Sequence, residues 1–116
     1  MGEERRSTAR VRAYRPVRLH KSIGTQVIET LTKDLALGGL RCVCPILFPV
    51  STEVNIEFLL STGDEPLTAR GRTAWFRPIP QSEQFDSGIT FLDMPQQNKR
   101  RLSAYLDRLS SQPLPV

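Results

Sequence analysis

Arginine is concentrated at the beginning of the chain, where it could bind phosphate. The first 18 residues contain six arginines: Arg5, Arg6, Arg10, Arg12, Arg15 and Arg18. The planar guanidinium group binds phosphate oxygens or the edge of a guanine base with two parallel hydrogen bonds, and it can also stack on a base. The segment therefore indicates attraction to a phosphate-bearing partner, whether a nucleotide, a nucleic acid or a membrane surface.

A second segment, TKDLALGGL at residues 32–40, combines an acid with two adjacent glycines. Asp34 interrupts an apolar run, and Gly38 and Gly39 follow. One interpretation is an ordinary turn, in which Asp34 caps the backbone and Gly39 occupies a bulge. The other is a ligand pocket, in which Asp34 accepts hydrogen bonds. Gly39, which has no Cβ, would then allow a ligand to approach closely and the chain to adopt an unusual φ.

The sequence contains no convincing catalytic or metal-binding set. His20 is the only histidine, and no serine or cysteine lies in a nucleophile motif such as G-x-S-x-G. Cys42 and Cys44 are a poor metal pair at this spacing. We expect them to be buried or half-buried thiols on opposite faces of a strand, and we expect that the protein is not an enzyme.

Length and composition fit one globular domain. The chain has 116 residues, of which 39% are hydrophobic and 24% charged. No apolar run approaches the roughly 18 residues of a membrane span, and the charged N-terminus lacks the apolar stretch of a signal peptide. We expect a cytoplasmic protein with no membrane insertion.

The hydrophobic pattern predicts about six short strands followed by one helix. Alternation is clearest at residues 53–60, whose inward side chains would be Val54, Ile56, Phe58 and Leu60. At residues 67–76, the same alternation predicts one shared face for Leu67, Ala69, Gly71, Thr73 and Trp75. Helical spacing then relates Leu102, Tyr105, Leu106 and Leu109, with Asp93 as a cap and Pro95 in the first turn.

These elements predict a mainly β fold, a six-stranded antiparallel barrel with one C-terminal α-helix. We assign residues 1–15 to a flexible arginine-rich arm, residues 16–110 to the barrel and helix, and residues 111–116 to a loose tail.

The arm and the glycine segment together resemble the motifs of the PilZ domain, a bacterial receptor module for the second messenger cyclic di-GMP. That family carries R-x-x-x-R in an N-terminal loop and [D/N]-x-S-x-x-G at the junction of two strands. Arg6 and Arg10 match the first motif, and Asp34 and Gly39 match the ends of the second. The resemblance covers nearly the whole chain.

The resemblance implies a ligand, cyclic di-GMP, and no other cofactor. Arg6 and Arg10 would bind phosphate oxygens and guanine, Asp34 would accept the N1–H and N2–H₂ donors of guanine, and Gly39 would admit the ligand to the backbone. The arm would order over the ligand, and its new position would pass the signal in trans to an unidentified protein partner.

Two further positions receive a role from the same resemblance. A basic residue at Arg5 accompanies a stacked ligand dimer in the family, which favours two ligands per chain. Trp75 lies where some members have an aromatic residue near the ligand, although its phase fits core packing equally well.

One position departs from the family pattern, because Ala36 stands where the family has serine. Ala36 cannot make the polar contact expected there, which keeps a second hypothesis open. In that hypothesis, the chain binds no nucleotide and acts as a protein adaptor in motility or pilus assembly. A third hypothesis, a nucleic-acid-binding barrel, is disfavoured because no exposed aromatic platform is evident.

Overall fold

The computed structural model describes residues 10–111, so Arg5, Arg6 and residues 112–116 of the tail lie outside the described part. The described chain forms these elements: β1 Val11–Arg12, β2 Pro16–Lys21, β3 Val27–Ala36, β4 Gly39–Cys44, β5 Glu53–Phe58, β6 Leu67–Pro78, β7 Phe85–Asp93 and α1 Gln96–Ser111.

Six strands close into an antiparallel barrel. The strand order is β1-β3-β2-β5-β6-β7-β4, and pairing of β3 with β4 joins the two ends of the sheet. The short strand β1 lies outside this ring and pairs only with the end of β3. The structure therefore confirms the predicted six-stranded barrel with one C-terminal helix.

The barrel interior follows the alternation read from the sequence. Val54, Ile56 and Phe58 of β5 are almost fully buried, as predicted. The helix contributes Leu102 and Leu106 to the same core cluster, so α1 covers part of the barrel with its apolar face.

The prediction for the beginning of the helix is wrong by two residues. Asp93 is the last residue of β7 and does not cap the helix. The carbonyl oxygen of Pro95 accepts a hydrogen bond from the N–H of Lys99 at 3.0 Å, so Pro95 precedes the first turn. The chain thus passes from β7 into α1 in only two residues.

The described part of the arm packs along the barrel. Ala13 is buried, and its carbonyl oxygen accepts a hydrogen bond of 2.6 Å from the hydroxyl of Thr32. The same hydroxyl accepts from the N–H of Arg15 at 2.9 Å, and Arg15 Nε donates to the carbonyl oxygen of Leu59 at 2.8 Å. Residues 10–15 are therefore part of the folded domain, although they were predicted to belong to the flexible arm.

Both cysteines are buried in the core, as expected, but they share one face of β4. Their sulfur atoms are 3.7 Å apart, so the expectation of opposite faces is wrong, since residues two apart in a strand point the same way. The hydrogen bond between them raises the pKa of Cys42 and lowers that of Cys44.

Candidate functional site

A bulge in β3 turns Asp34 to the outside of the barrel. Thr32 is fully buried, and strict alternation would place Asp34 on the same inner face. The pairing of β3 with β4 shifts by one residue between Thr32 and Asp34, so Lys33 is the extra residue. Leu35 then resumes the inward direction and is fully buried. The bulge thus presents a carboxylate on the outer surface.

Two arginines hold the Asp34 carboxylate. Nη1 of Arg10 lies 2.7 Å from Oδ1, and Nε of Arg41 lies 3.0 Å from Oδ2. The side chain of Asp34 is 14% exposed, against 48% for Arg10 and 33% for Arg41. The structure therefore brings together Arg10 and Asp34, one candidate residue from each motif, although 24 positions separate them.

A second bulge, in β6, moves Trp75 out of the core. Thr73 is buried, and the pairing of β6 with β7 shifts between Thr73 and Trp75, so alternation is interrupted at Ala74. Trp75 is consequently 37% exposed, and the prediction that it shares the inner face with Thr73 is wrong.

The Trp75 indole packs closely against Gly88 of β7. A Cβ at Gly88 would come within 3.0 Å of three indole atoms, a separation that side chains essentially never show. Glycine at this position therefore leaves the space that the indole ring occupies. The guanidinium of Arg77 lies 5.8 Å from the ring centroid, within cation–π range.

Asp34 and Trp75 lie in one row that runs across four strands of the barrel. Asp34 pairs with Arg41, Arg41 with Gly88, and Gly88 with Trp75. We call these four residues the outer row. Because adjacent strands lie about 4.8 Å apart, the row runs for roughly 14 Å along the curved surface of the barrel. It joins a carboxylate, a guanidinium and an exposed aromatic ring, which are the groups needed to hydrogen-bond and stack a base.

A second acid lies beside the outer row. Asp86 is buried, with Lys33 Nζ 3.0 Å from Oδ1 and Arg77 Nη2 3.5 Å from Oδ2. Burial by itself would raise the pKa of Asp86, but Lys33, Arg41 and Arg77 together outweigh it and lower that pKa. The carboxylate therefore stays ionised and balances a cluster of cations on this face.

Gly39 has a packing reason to be glycine. A Cβ at this position would lie 2.2 Å from the backbone carbonyl oxygen of Ile89. The unusual φ expected for Gly39 is wrong, because the positive-φ glycines of the described chain are Gly24 and Gly63. Ala36, its partner across the β3–β4 hairpin, is only 5% exposed.

The family model for the PilZ domain matches residues 4–108 of the sequence. The chain belongs to the PilZ domain family. The resemblance stated from the two motifs is thereby confirmed. No curated protein matches the sequence significantly.

Solved PilZ structures share the fold. The Bacillus subtilis inhibitor of motility (MotI/DgrA) aligns with a TM-score of 0.75 at 17% identity, covering 93% of this chain and 53% of that one. This chain therefore spans about half the length of that protein. The PilZ domain of YcgR from Escherichia coli, solved with c-di-GMP, aligns with a TM-score of 0.70 at 16% identity, covering 91% and 92% of the two chains.

A third similar structure is the PilZ domain of CeSA from a cellulose-synthesizing bacterium. Its TM-score is 0.65 at 20% identity, and the alignment covers 89% of this chain and 99% of that one. At these identities, the similarity establishes the PilZ fold of this chain.

Arg41 was not among the residues predicted from the sequence, although the hairpin spacing indicates its position. A two-residue turn at Leu37-Gly38 pairs Ala36 with Gly39 and therefore Asp34 with Arg41. The contact of Gly88 with Trp75 could not be predicted in this way, because it depends on the bulge at Ala74.

Over residues 10–111, no cluster of three or more potential metal ligands occurs. In the same part of the chain, the helix lacks the length and hydropathy needed to cross a bilayer.

Proposed function

We propose that this PilZ domain is a receptor for cyclic di-GMP. The observation that carries the proposal is the 2.7 Å ion pair between Arg10 and Asp34, which joins the two motifs at one point of the barrel surface. The YcgR domain, which has the same fold, was solved with c-di-GMP.

The proposed roles follow from the chemistry of each group. Asp34 accepts the N1–H and N2–H₂ donors of guanine, which adenine does not offer in the same arrangement. Arg10 is half exposed and has N–H groups beyond the one that faces Asp34, so it can turn to a phosphate or a guanine edge. The exposed indole of Trp75 offers a stacking surface for a base.

Arg5 and Arg6 lie outside the described residues, and their roles rest on the family resemblance. Arg6 completes the arginine pair with Arg10, and Arg5 favours a stacked ligand dimer. Gly39 keeps the β3–β4 hairpin close to β7, next to Ala36. In this proposal, the protein is not an enzyme, acts in the cytoplasm and passes its signal to a protein partner in trans through the position of the arm.

Calorimetric titration with cyclic di-GMP tests the proposal, with GMP as the ligand control. We expect saturable binding to the wild-type chain and a loss of roughly tenfold or more in Asp34→Asn, because a charge-assisted hydrogen bond is worth about 1.5–3 kcal/mol. Glu53→Gln is the matched control, since it also removes a carboxylate from an ion pair with an arginine, here with Arg70 at 3.2 Å. Stoichiometry near two supports the stacked dimer, and stoichiometry near one removes it.

A second candidate function is favoured by one observation, the buried methyl group of Ala36 in place of the family's serine. In this alternative, the domain binds no nucleotide and acts as a protein adaptor. Absence of binding at high ligand concentration would support the adaptor, as would equal recovery of a partner with and without cyclic di-GMP.

A further inference from the structure

Arg41 occupies the centre of the outer row, between Asp34 and Gly88. Its strand, β4, is paired on both sides, with β3 and with β7, so the backbone at Arg41 is fixed within the barrel. About two thirds of its side chain is covered, and Nε is fully buried. These features distinguish it from a mobile surface arginine.

Arg10 holds the same carboxylate from a less constrained position. It precedes β1 and has no strand partner of its own in the described chain, and its side chain is 48% exposed. Asp34 is thus held at Oδ1 by a cation that can leave and at Oδ2 by one that cannot readily move. This asymmetry matters because, in the proposed function, Arg10 turns away from Asp34 to bind the ligand.

The contact between Arg41 and Asp34 is an ion pair that could become a hydrogen bond after a small rotation. Nε lies 3.0 Å from Oδ2, but the two are not aligned for a hydrogen bond, and Nε has no other partner among the described residues. A carboxylate released by Arg10 can rotate toward this buried N–H. Because each carboxylate oxygen can accept more than one hydrogen bond, Oδ1 and the remaining lone pair of Oδ2 stay available to the two guanine donors.

From this geometry we propose that Arg41 is a positioning residue for guanine recognition. It keeps the Asp34 carboxylate paired and oriented while Arg10 engages the ligand. This inference rests on the proposed function, since it concerns how Asp34 reads a guanine base. It predicts that Arg41 contributes to the choice of base as well as to affinity.

The test compares two cyclic dinucleotides on four forms of the protein, the wild-type chain and three variants. Cyclic di-GMP and cyclic di-AMP have the same backbone and charge, but adenine lacks the N1–H and N2–H₂ donors that Asp34 would bind. Their affinities are measured by calorimetry for the wild-type chain, Arg41→Gln, Asp34→Asn and the double variant. Arg70→Gln is the charge-matched control for Arg41→Gln, and Glu53→Gln is the charge-matched control for Asp34→Asn, because Arg70 and Glu53 form an exposed ion pair at 3.2 Å. Thermal melts establish that each variant is folded.

We expect Arg41→Gln to weaken cyclic di-GMP binding by roughly tenfold and to leave any cyclic di-AMP binding within about twofold. In the Asp34→Asn background, the same substitution should change affinity by less than about twofold, because its effect passes through the carboxylate. Arg41→Lys keeps the charge but removes Nε, and it should weaken cyclic di-GMP binding in the same direction. It is also the substitute if the glutamine variant does not fold.

Two results would overturn the inference alone. One is wild-type affinity in both Arg41 variants, and the other is an equal loss from Arg41→Gln with and without Asp34. If the wild-type chain binds no cyclic di-GMP, the proposed function fails and this inference fails with it. Wild-type titration therefore separates the two failures.

Discussion

Replacement of Gly39 by alanine should strongly destabilise the barrel, whether or not a ligand is present. The added Cβ would lie 2.2 Å from the carbonyl oxygen of Ile89, and Cβ contacts below 3.0 Å essentially do not occur. The obstacle is backbone, so no side-chain rotation relieves the overlap. Either β4 or β7 must move by about 1 Å where Gly39 pairs with Thr90.

The size of the effect follows from two contributions. Overpacking of this kind costs about 1–3 kcal/mol, and a weakened ladder hydrogen bond adds about 0.5–1.5 kcal/mol. We therefore expect Gly39→Ala to lower the free energy of unfolding by about 2–4 kcal/mol. That corresponds to a decrease of roughly 1–2 M in the urea midpoint for a small domain.

Gly38→Ala provides a matched control one residue away. A Cβ at Gly38 would have no atom within 4 Å, and its φ is not positive, so we expect a change within about 0.5 kcal/mol. Urea unfolding followed by circular dichroism and by Trp75 emission measures both variants, since Trp75 is the only tryptophan. Equal stability of the two variants would refute the packing explanation. Close approach of the ligand would then be the remaining reason for glycine at position 39.

Three further predictions concern the outer surface. Asp86→Asn should lower the free energy of unfolding by about 1–2 kcal/mol at pH 7. Because the folded-state pKa of Asp86 is lowered, the stabilisation by its carboxylate is fully present above the ordinary pKa of 3.8 and disappears as pH falls through the folded-state pKa. Urea unfolding should therefore show a smaller difference in stability between the wild-type chain and Asp86→Asn at pH 3 than at pH 7. Gly88→Ala should displace the Trp75 indole and shift its emission toward that of exposed tryptophan. Unchanged emission would contradict the close packing of the indole against Gly88. Ala36→Ser should strengthen cyclic di-GMP binding by roughly two- to tenfold in calorimetry, and no gain would mean that this position does not contact the ligand.

The regular parts of the barrel were predictable because burial and alternation agree there. In β5, the side chains of Val54, Ile56 and Phe58 point inward as the period of two requires. The strand β1 was missed because two residues carry no measurable periodicity. Its pairing depends on the part of β3 beyond Leu31, which β2 no longer covers.

The outer surface was less predictable, because two bulges decide which side chains reach it. Simple alternation places Asp34 with Thr32 and Trp75 with Thr73, on the inner face in both cases. The insertions at Lys33 and Ala74 reverse both assignments. Such insertions leave no mark in hydrophobic periodicity, so a family motif could indicate Asp34 while the pattern of its strand indicated the wrong face.

The two ion pairs of Asp34 favour an order of events for the proposed receptor. An ion pair with a half-exposed arginine is worth about 0.2–1 kcal/mol, so separating Arg10 from Asp34 requires little free energy. The ligand would replace this one contact with several hydrogen bonds to charged groups, from Arg10 to a phosphate and from the N1–H and N2–H₂ of guanine to Asp34. The exchange therefore favours the ligand, provided that Asp34 is not left as an uncompensated charge when Arg10 departs. Arg41 supplies that compensation from a fixed strand, so the acceptor remains in place on the barrel while Arg10, at the edge of the fold, changes partner.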